Sequence, residues 1–272
     1  GKTLVSLGLT RLFSQQGLTV QPCKKGPDYI DYAWLSLAAG RSAACLDPYF
    51  LQDDALLHRF AGACAFAPDL ALIEGNRGLF DGHDINGSCS TAHVARLLNA
   101  PIILTMNCAK MTRTAAAIVA GINSFEPDVH IAGVLLNNVA GERHASMLRS
   151  SIEAHTGVHV LGILPRLRKN PLPERHLGLA LNHASQESDT LLNQLASLLR
   201  EHTDTGTLLA LAQNVPDLPV TPSPPAIHTS DGSTPPRIGY ILDDALWFYY
   251  EENLTALREA GAKEIPVSLL NP

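Results

Sequence analysis

Residues 69–82, DLALIEGNRGLFDG, decide the reading of this chain. Residues 70–73 form a short apolar run of the kind that fills a strand buried on both faces of a parallel sheet. The run stops at Glu74 and gives way to a loop punctuated by Gly75, Gly78 and Gly82, with Arg77 among them. A carboxylate at the carboxyl end of a buried strand, beside glycines that let a ligand approach the backbone, marks the edge where open α/β sheets bind and react. Glu74 and Asp81 are therefore the first candidate residues. A strand running into a solvated turn is the plainer alternative for this stretch alone.

The flanking sequence supplies the rest of the sheet. Val5, Leu9, Leu12 and Phe13 share one face of a helix that closes at Gly17, and residues 18–21 read as a short strand. Residues 41–48 read as irregular and 52–60 as a helix. A Ser/Gly/Thr-rich loop from 87 runs into a helix from about Ala92, with Ser90 or Thr91 as its N-cap or as an anion contact. Strands are then expected at 101–106, 131–136 and 158–164, and helices at 112–125, 141–156 and 190–202. Asn137, at the end of one strand, has the chemistry to read a nucleotide base edge or to start a turn. This alternation predicts an α/β fold: a mostly parallel sheet with helices on both faces.

Two polar clusters belong to the same sheet edge. Gly1-Lys2-Thr3 would be the last three positions of a phosphate-binding loop, GxxxxGK[ST], and it opens a helix as that loop must. In such a loop backbone N–H groups cradle phosphates, Lys2 reaches their oxygens and Thr3 ligates Mg²⁺. The earlier glycine of the motif does not appear, and an exposed Gly-Lys-Thr is the alternative. Residues 21–31, QPCKKGPDYID, bring Lys24 and Lys25, a Gly-Pro turn, and Asp28 and Asp31 three positions apart. One helical turn would aim both carboxylates the same way. The cluster suits an ATP·Mg²⁺ and anionic-substrate site; a charged surface loop is its alternative.

Composition bounds the function. The 272 residues, 46% hydrophobic and 17% charged, suffice for one large domain or a domain with a piece of another. A net charge of −6 supplies no basic field for nucleic acid. The five cysteines are odd in number and scattered without a CxxC, which argues for reduced thiols in a cytoplasmic protein and against a zinc site. No apolar run reaches the roughly 18 residues of a membrane helix, so no membrane partner is expected, and no signal peptide is apparent. The chain opens without methionine and ends just after a strand candidate, so both ends are expected to be cut. From Thr203 the composition changes, and 215–236 is proline-rich. A strand at 237–242, a helix at 243–261 and a strand at 263–269 follow as one βαβ unit. The expected organisation is a nucleotide-binding domain at 1–202, a linker at 203–236 and the start of a second α/β domain at 237–272.

GPDYID at 26–31, IEGNRGLFDG at 73–82, GVLLNNV at 133–139, LPERHLGL at 172–179 and ALWFYYEENL at 245–254 stand in this order. Together they resemble the cobyrinic acid a,c-diamide synthase family, P-loop amidoligases related to dethiobiotin synthetase and cobyric acid synthase. The resemblance implies a P-loop NTPase, dethiobiotin synthetase-like first domain that binds ATP and Mg²⁺. The second domain would be a class I glutaminase, with its catalytic cysteine and histidine beyond residue 272. The implied substrate is a tetrapyrrole polycarboxylate (cobyrinic acid, hydrogenobyrinic acid or nickel sirohydrochlorin), amidated at its c and then its a acetate through acyl phosphates with ammonia from glutamine. It further implies that Gly1, Lys2 and Thr3 hold the phosphates, that Thr3, Glu74 and Asp28 ligate Mg²⁺, and that Lys24 meets the incoming carboxylate. Asp28, Asp31 and Asp81 match the family's functional acids, Asn137 falls in its nucleotide-side motif, and a homodimer is implied. Cys23 and Trp247 depart from the family's usual residues, away from the proposed chemistry; His176 is given no role. Two other classes compete: a deviant-P-loop ATPase switch of the partitioning type, and a dethiobiotin synthetase-like ligase, which has no use for a second domain.

Overall fold

The computed structural model describes residues 1–167, 186–218, 220, 234–243 and 245–270. LPERHLGL and most of the proline-rich stretch lie outside the described residues. The elements alternate as expected: α1 (Lys2–Gln15), β1 (Val20–Lys25), α2 (Tyr29–Ala39), β2 (Ala44–Leu46), α3 (Asp53–Ala63), β3 (Leu70–Glu74), α4 (Thr91–Leu97), β4 (Ile102–Asn107), α5 (Arg113–Phe125), β5 (Ile131–Val139), α6 (Glu142–Thr156), β6 (Val160–Pro165), α7 (Gln186–His202), α8 (Thr205–Gln213), β7 (Arg237–Ile241), α9 (Glu251–Glu259) and β8 (Lys263–Val267).

Every pairing between named strands is parallel. The order is β2-β1-β3 in one sheet, β4-β5-β6 in a second, and β7-β8 apart. The facing edges of β3 and β4 are not paired with each other. Their apolar side chains, with Val5, Leu9 and Phe13 of α1 and Leu208 of α8, line a cavity of about 800 Å³ that reaches Lys2, Glu74, Arg77 and Asp81 at its polar end.

β1, β5 and β6 are largely buried, as strands of a parallel sheet between helix layers are, whereas β3 and β4 beside the cavity are half-buried and β7 and β8 are half-buried to exposed. In β5, Leu135 joins the cluster built from α1, α2 and α7, while its neighbours Val134 and Leu136 join the cluster of α5 and α6. A third cluster sets α3 and α4 against Cys23 and Leu46. α7 seats closely on α1: a Cβ on Gly8 would lie 2.6 Å from Leu199 Cδ2 and 3.0 Å from the Leu195 carbonyl, so a larger residue there would make α7 shift. Arg11 ties the same pair together, donating to Asp189 and Asn193 at 2.9 Å each.

Several boundaries differ from the sequence expectation, three of them by a clear physical cause. β1 runs on through Lys24 and Lys25, both buried, which no apolar pattern announces. β2 forms inside the stretch read as irregular. α9 starts at Glu251, not 243, because Asp243 Oδ1 accepts from the N–H groups of Ala245 and Leu246, and a side-chain turn competes with a helix start. At the head of the stretch read as linker, α8 is helical and buries Leu208 in the α1 cluster.

Candidate active site

Four segments meet at the carboxyl edge of the first sheet. β3 ends on Glu74, and register pairs it with Lys24 of β1. α1 starts at Gly1, with no side-chain cap and no acid in its first turn, so its N–H groups point at the site unneutralised. α2 starts one turn beyond β1, and its N-cap is Asp28.

The centre is a dry cluster. Lys24 Nζ, 2% exposed, donates to Asp31 Oδ2 at 2.6 Å and to Glu74 Oε1 at 3.1 Å. Thr3 Oγ1 lies 2.8 Å from Glu74 Oε1 and 3.4 Å from Asp31 Oδ2. Burial acts to lower the pKa of Lys24, but Glu74 and Asp31 overcome it and hold the ammonium above its ordinary range. Burial pushes Glu74 the other way, above the usual carboxylate range, because two acids share one cation and Asp31 adds a like charge. Glu74 Oε2 is buried without a hydrogen-bond partner among the described residues.

That orphaned oxygen tests the implied metal. Mg²⁺ in phosphate sites takes one or two protein oxygens and completes its octahedron with phosphate and water. Glu74 Oε2, the Thr3 hydroxyl and the Asp31 carboxylate are hard oxygen donors at the head of α1, so the residues present fit the ion.

The other candidates fall around this cluster. Lys2 Nζ donates to the carbonyl of Arg77 at 2.7 Å, folding over the loop after β3. Asp28 caps α2 by accepting from Asp31 N at 3.3 Å, outside the Lys24–Glu74 contacts. Asp81 accepts from Gly78 N at 2.8 Å and so shapes its own loop. Asn137 is buried at the end of β5, its Oδ1 accepting from Asn138 N, with Nδ2 beside Gly1. Lys24, expected beside an incoming carboxylate, is held instead between two acids, because β1 carries it under the sheet edge.

The structure separates Ser90 from Thr91, the two residues read as N-cap or anion contact. Ser90 is the N-cap, accepting from His93 N at 3.1 Å. Thr91 Oγ1 bonds both the N–H and the C=O of Asn76 at 3.2 Å and so fastens the loop after β3 to α4. Each of the five thiols is raised by burial, Cys45 to about 12 and Cys108 to about 11, so none is an activated nucleophile.

A Cβ at Gly82 would come within 2.4 Å of the Ser88 carbonyl and 2.5 Å of the Gly87 carbonyl carbon, both backbone. Gly82→Ala is expected to shift the Asp81 loop, costing about 1–3 kcal/mol in thermal unfolding. Turnover should fall by up to about 100-fold, the effect of roughly 1 Å of misplacement. Unchanged melting and turnover would show that the loop yields freely.

The CobQ/CobB/MinD/ParA nucleotide binding domain model (CbiA) matches residues 1–179. The chain is 41% identical over 274 residues to a cobyrinate a,c-diamide synthase of Magnetococcus marinus, spanning all of this chain and 58% of that protein. It is 41% identical over 271 residues to one from Listeria monocytogenes, spanning 99% of this chain and 59% of the relative. One from Archaeoglobus fulgidus is 40% identical over 258 residues, spanning 94% and 56%. The chain thus spans under two thirds of the length of these relatives. A helix N-terminus bearing Lys2 and Thr3, set against a buried acid at the end of β3, is what a nucleotide-binding α/β domain needs, and the chain belongs to the CobQ/CobB/MinD/ParA nucleotide-binding domain family.

Proposed function

We propose that this chain activates carboxylates for amidation: with ATP and Mg²⁺ it converts the a and c acetate groups of cobyrinic acid, or a close tetrapyrrole, to acyl phosphates that ammonia turns into amides. The reading rests on the Lys24–Asp31–Glu74–Thr3 cluster at the head of α1, supported by the activity for which the relatives are named. Over the length of the relatives, glutamine would supply the ammonia, and β7–α9–β8 would open the glutaminase domain.

The chemistry follows from charge. A carboxylate is a poor electrophile, so one of its oxygens must first become a good leaving group. The substrate carboxylate oxygen attacks the γ-phosphorus, the bond to the β-γ bridging oxygen breaks, and ADP departs. Ammonia then attacks the acyl carbon, phosphate leaves, and a proton goes to a nearby base. Phosphoryl transfer of this kind depends on positioning and charge neutralisation. The N–H groups of α1 and Lys2 bind phosphate oxygens. Thr3, Glu74 and Asp31 would hold Mg²⁺, which supplies neutralisation of the developing phosphate charge when bound. Lys24 holds Asp31 and Glu74 in register with Thr3. Asp28 or Asp81 would serve as the base or as the acid that orients ammonium.

The test is a panel of cobyrinic acid, hydrogenobyrinic acid and nickel sirohydrochlorin, each given to the full-length protein with ATP, Mg²⁺ and either ammonia or glutamine. Amide formation matched by phosphate release is expected with at least one substrate. Phosphate release without amide from any of them would overturn the reading.

Mg·ATP should also stabilise the fold. At about 100 times its Kd the ligand adds roughly 2.7 kcal/mol, or about 5–10 °C for a domain of this size. EDTA should remove most of that shift, and Glu74→Gln should too, since it takes away the dry oxygen that would meet the metal.

A further inference from the structure

The proposed chemistry of the site does not use the aromatic segment 247–252, yet that segment grips the helix carrying Asp31. Tyr29 and Tyr32 flank Asp31 on the first turn of α2. Tyr29 donates from its hydroxyl to the carbonyl of Tyr249 at 2.8 Å. Its ring meets Trp247, Phe248 and Tyr250 edge-on at 5.2–5.4 Å, and stacks on Tyr32 at 5.5 Å. Tyr32 meets Tyr250 at 5.2 Å. Glu252 completes the grip from the first turn of α9: one carboxylate oxygen accepts from Cys45 N of β2 at 2.6 Å, the other from the Tyr32 hydroxyl at 3.3 Å. Glu251 N reaches the same hydroxyl at 3.4 Å.

These contacts join three parts that otherwise share little: the β7–α9–β8 unit, the edge strand β2, and the first turn of α2. Asp31 lies in that turn, 2.6 Å from Lys24. Displacing the turn lengthens the Lys24–Asp31 bridge and shifts Asp31 relative to Thr3, 3.4 Å away. Trp247 is buried in the same cluster.

We propose that Glu252 is a positioning residue that acts through Tyr32 and the first turn of α2 on Asp31, so that the β7–α9–β8 unit and the phosphate end of the site are coupled. The inference rests on the amidation reading only for its kinetic arm; its optical arm requires nucleotide binding alone. Two tryptophans are present, Trp34 and Trp247. In a Trp34→Phe background of the full-length protein, saturating Mg·ATP is expected to change the emission of Trp247. Glu252→Ala should abolish most of that change, and Tyr29→Phe, which removes one hydroxyl and keeps the ring, should reduce it.

In turnover with free ammonia, Glu252→Ala should lower kcat by about tenfold with KM for ATP changed less than about twofold, the scale of a coupling residue that touches neither ligand. Glu252→Gln, which keeps an acceptor for Cys45 N, should recover part of the loss. The inference is overturned if Trp247 gives no response to Mg·ATP, or if the response persists unchanged in Glu252→Ala. It is also overturned if kcat stays at the wild-type value. Should Glu252→Ala not fold, Tyr29→Phe carries the same comparison. A protein whose Trp247 responds but which amidates no panel substrate would refute the amidation reading and leave this coupling standing.

Discussion

Glu74→Gln is expected to lower ATP-dependent turnover of the full-length protein by at least about 10²–10³-fold while leaving melting unchanged or slightly raised. The substitution keeps the shape and the oxygen that meets Thr3 and Lys24, but removes the charge from a dry site. In the wild type, Lys24 serves two carboxylates, so neutralising one relieves a like-charge contact with Asp31 and still leaves the ammonium paired. The pH dependence follows with a definite sign. A carboxyl raised by burial favours the fold when protonated, and that gain is lost as pH rises through its raised value. Stability of the wild type should therefore carry a decline across that interval that Glu74→Gln flattens. Phosphate release and thermal melting across pH measure both halves. Wild-type turnover in Glu74→Gln would remove Glu74 from the chemistry altogether.

Lys24→Met carries the opposite balance. It strands Asp31 and Glu74 as neighbouring buried acids without a counter-ion, and breaking a buried pair in this way costs about 3–5 kcal/mol. Both function and fold should suffer. Glu74, already displaced upward, should move further up, so the deficit is largest at neutral pH and shrinks as pH falls through the raised value. The wild type shows the complementary alkaline behaviour. Its ammonium is held above the ordinary range, so the bridge contributes in full below about pH 10 and is lost only as pH climbs through the raised value. Denaturant titrations of both proteins between acid and alkaline pH give the comparison. A variant as stable as wild type at neutral pH would mean the acids are not confined as the distances indicate.

The two acids differ in how far sequence announces them. Glu74 is legible because four apolar residues stop abruptly at it, a pattern that places a carboxylate at a strand end. Thr3 is legible from the helix it opens. Lys24 is not, since a charged residue inside a buried strand contradicts apolar periodicity, and only the acids from β3 and α2 make it stable there. The grip on α2 is equally hidden. Tyr29, Tyr32 and residues 247–252 are separated by more than 200 positions, and nothing in either segment names the other. The tie from Thr91 to Asn76 is hidden for a related reason: a hydroxyl beside an N-cap reads as a cap or an anion contact, while its partner Asn76 lies 15 positions earlier. The β1 boundary, β2 and the start of α9 went the same way. In each, long-range pairing or a side-chain turn outweighs local pattern.

The seating of α7 on α1 sets an order in time. Gly8 gives way to Leu199, and Arg11 reaches Asp189 across 178 positions. During synthesis at about 5–20 residues per second, the helix that opens the phosphate end waits roughly ten to forty seconds for its partner. Contacts this distant in sequence also slow folding of the finished chain. Until α7 emerges, α1 can pack only on α2 and the first sheet, and the part of its face that Leu195 and Leu199 cover stays exposed on the nascent chain.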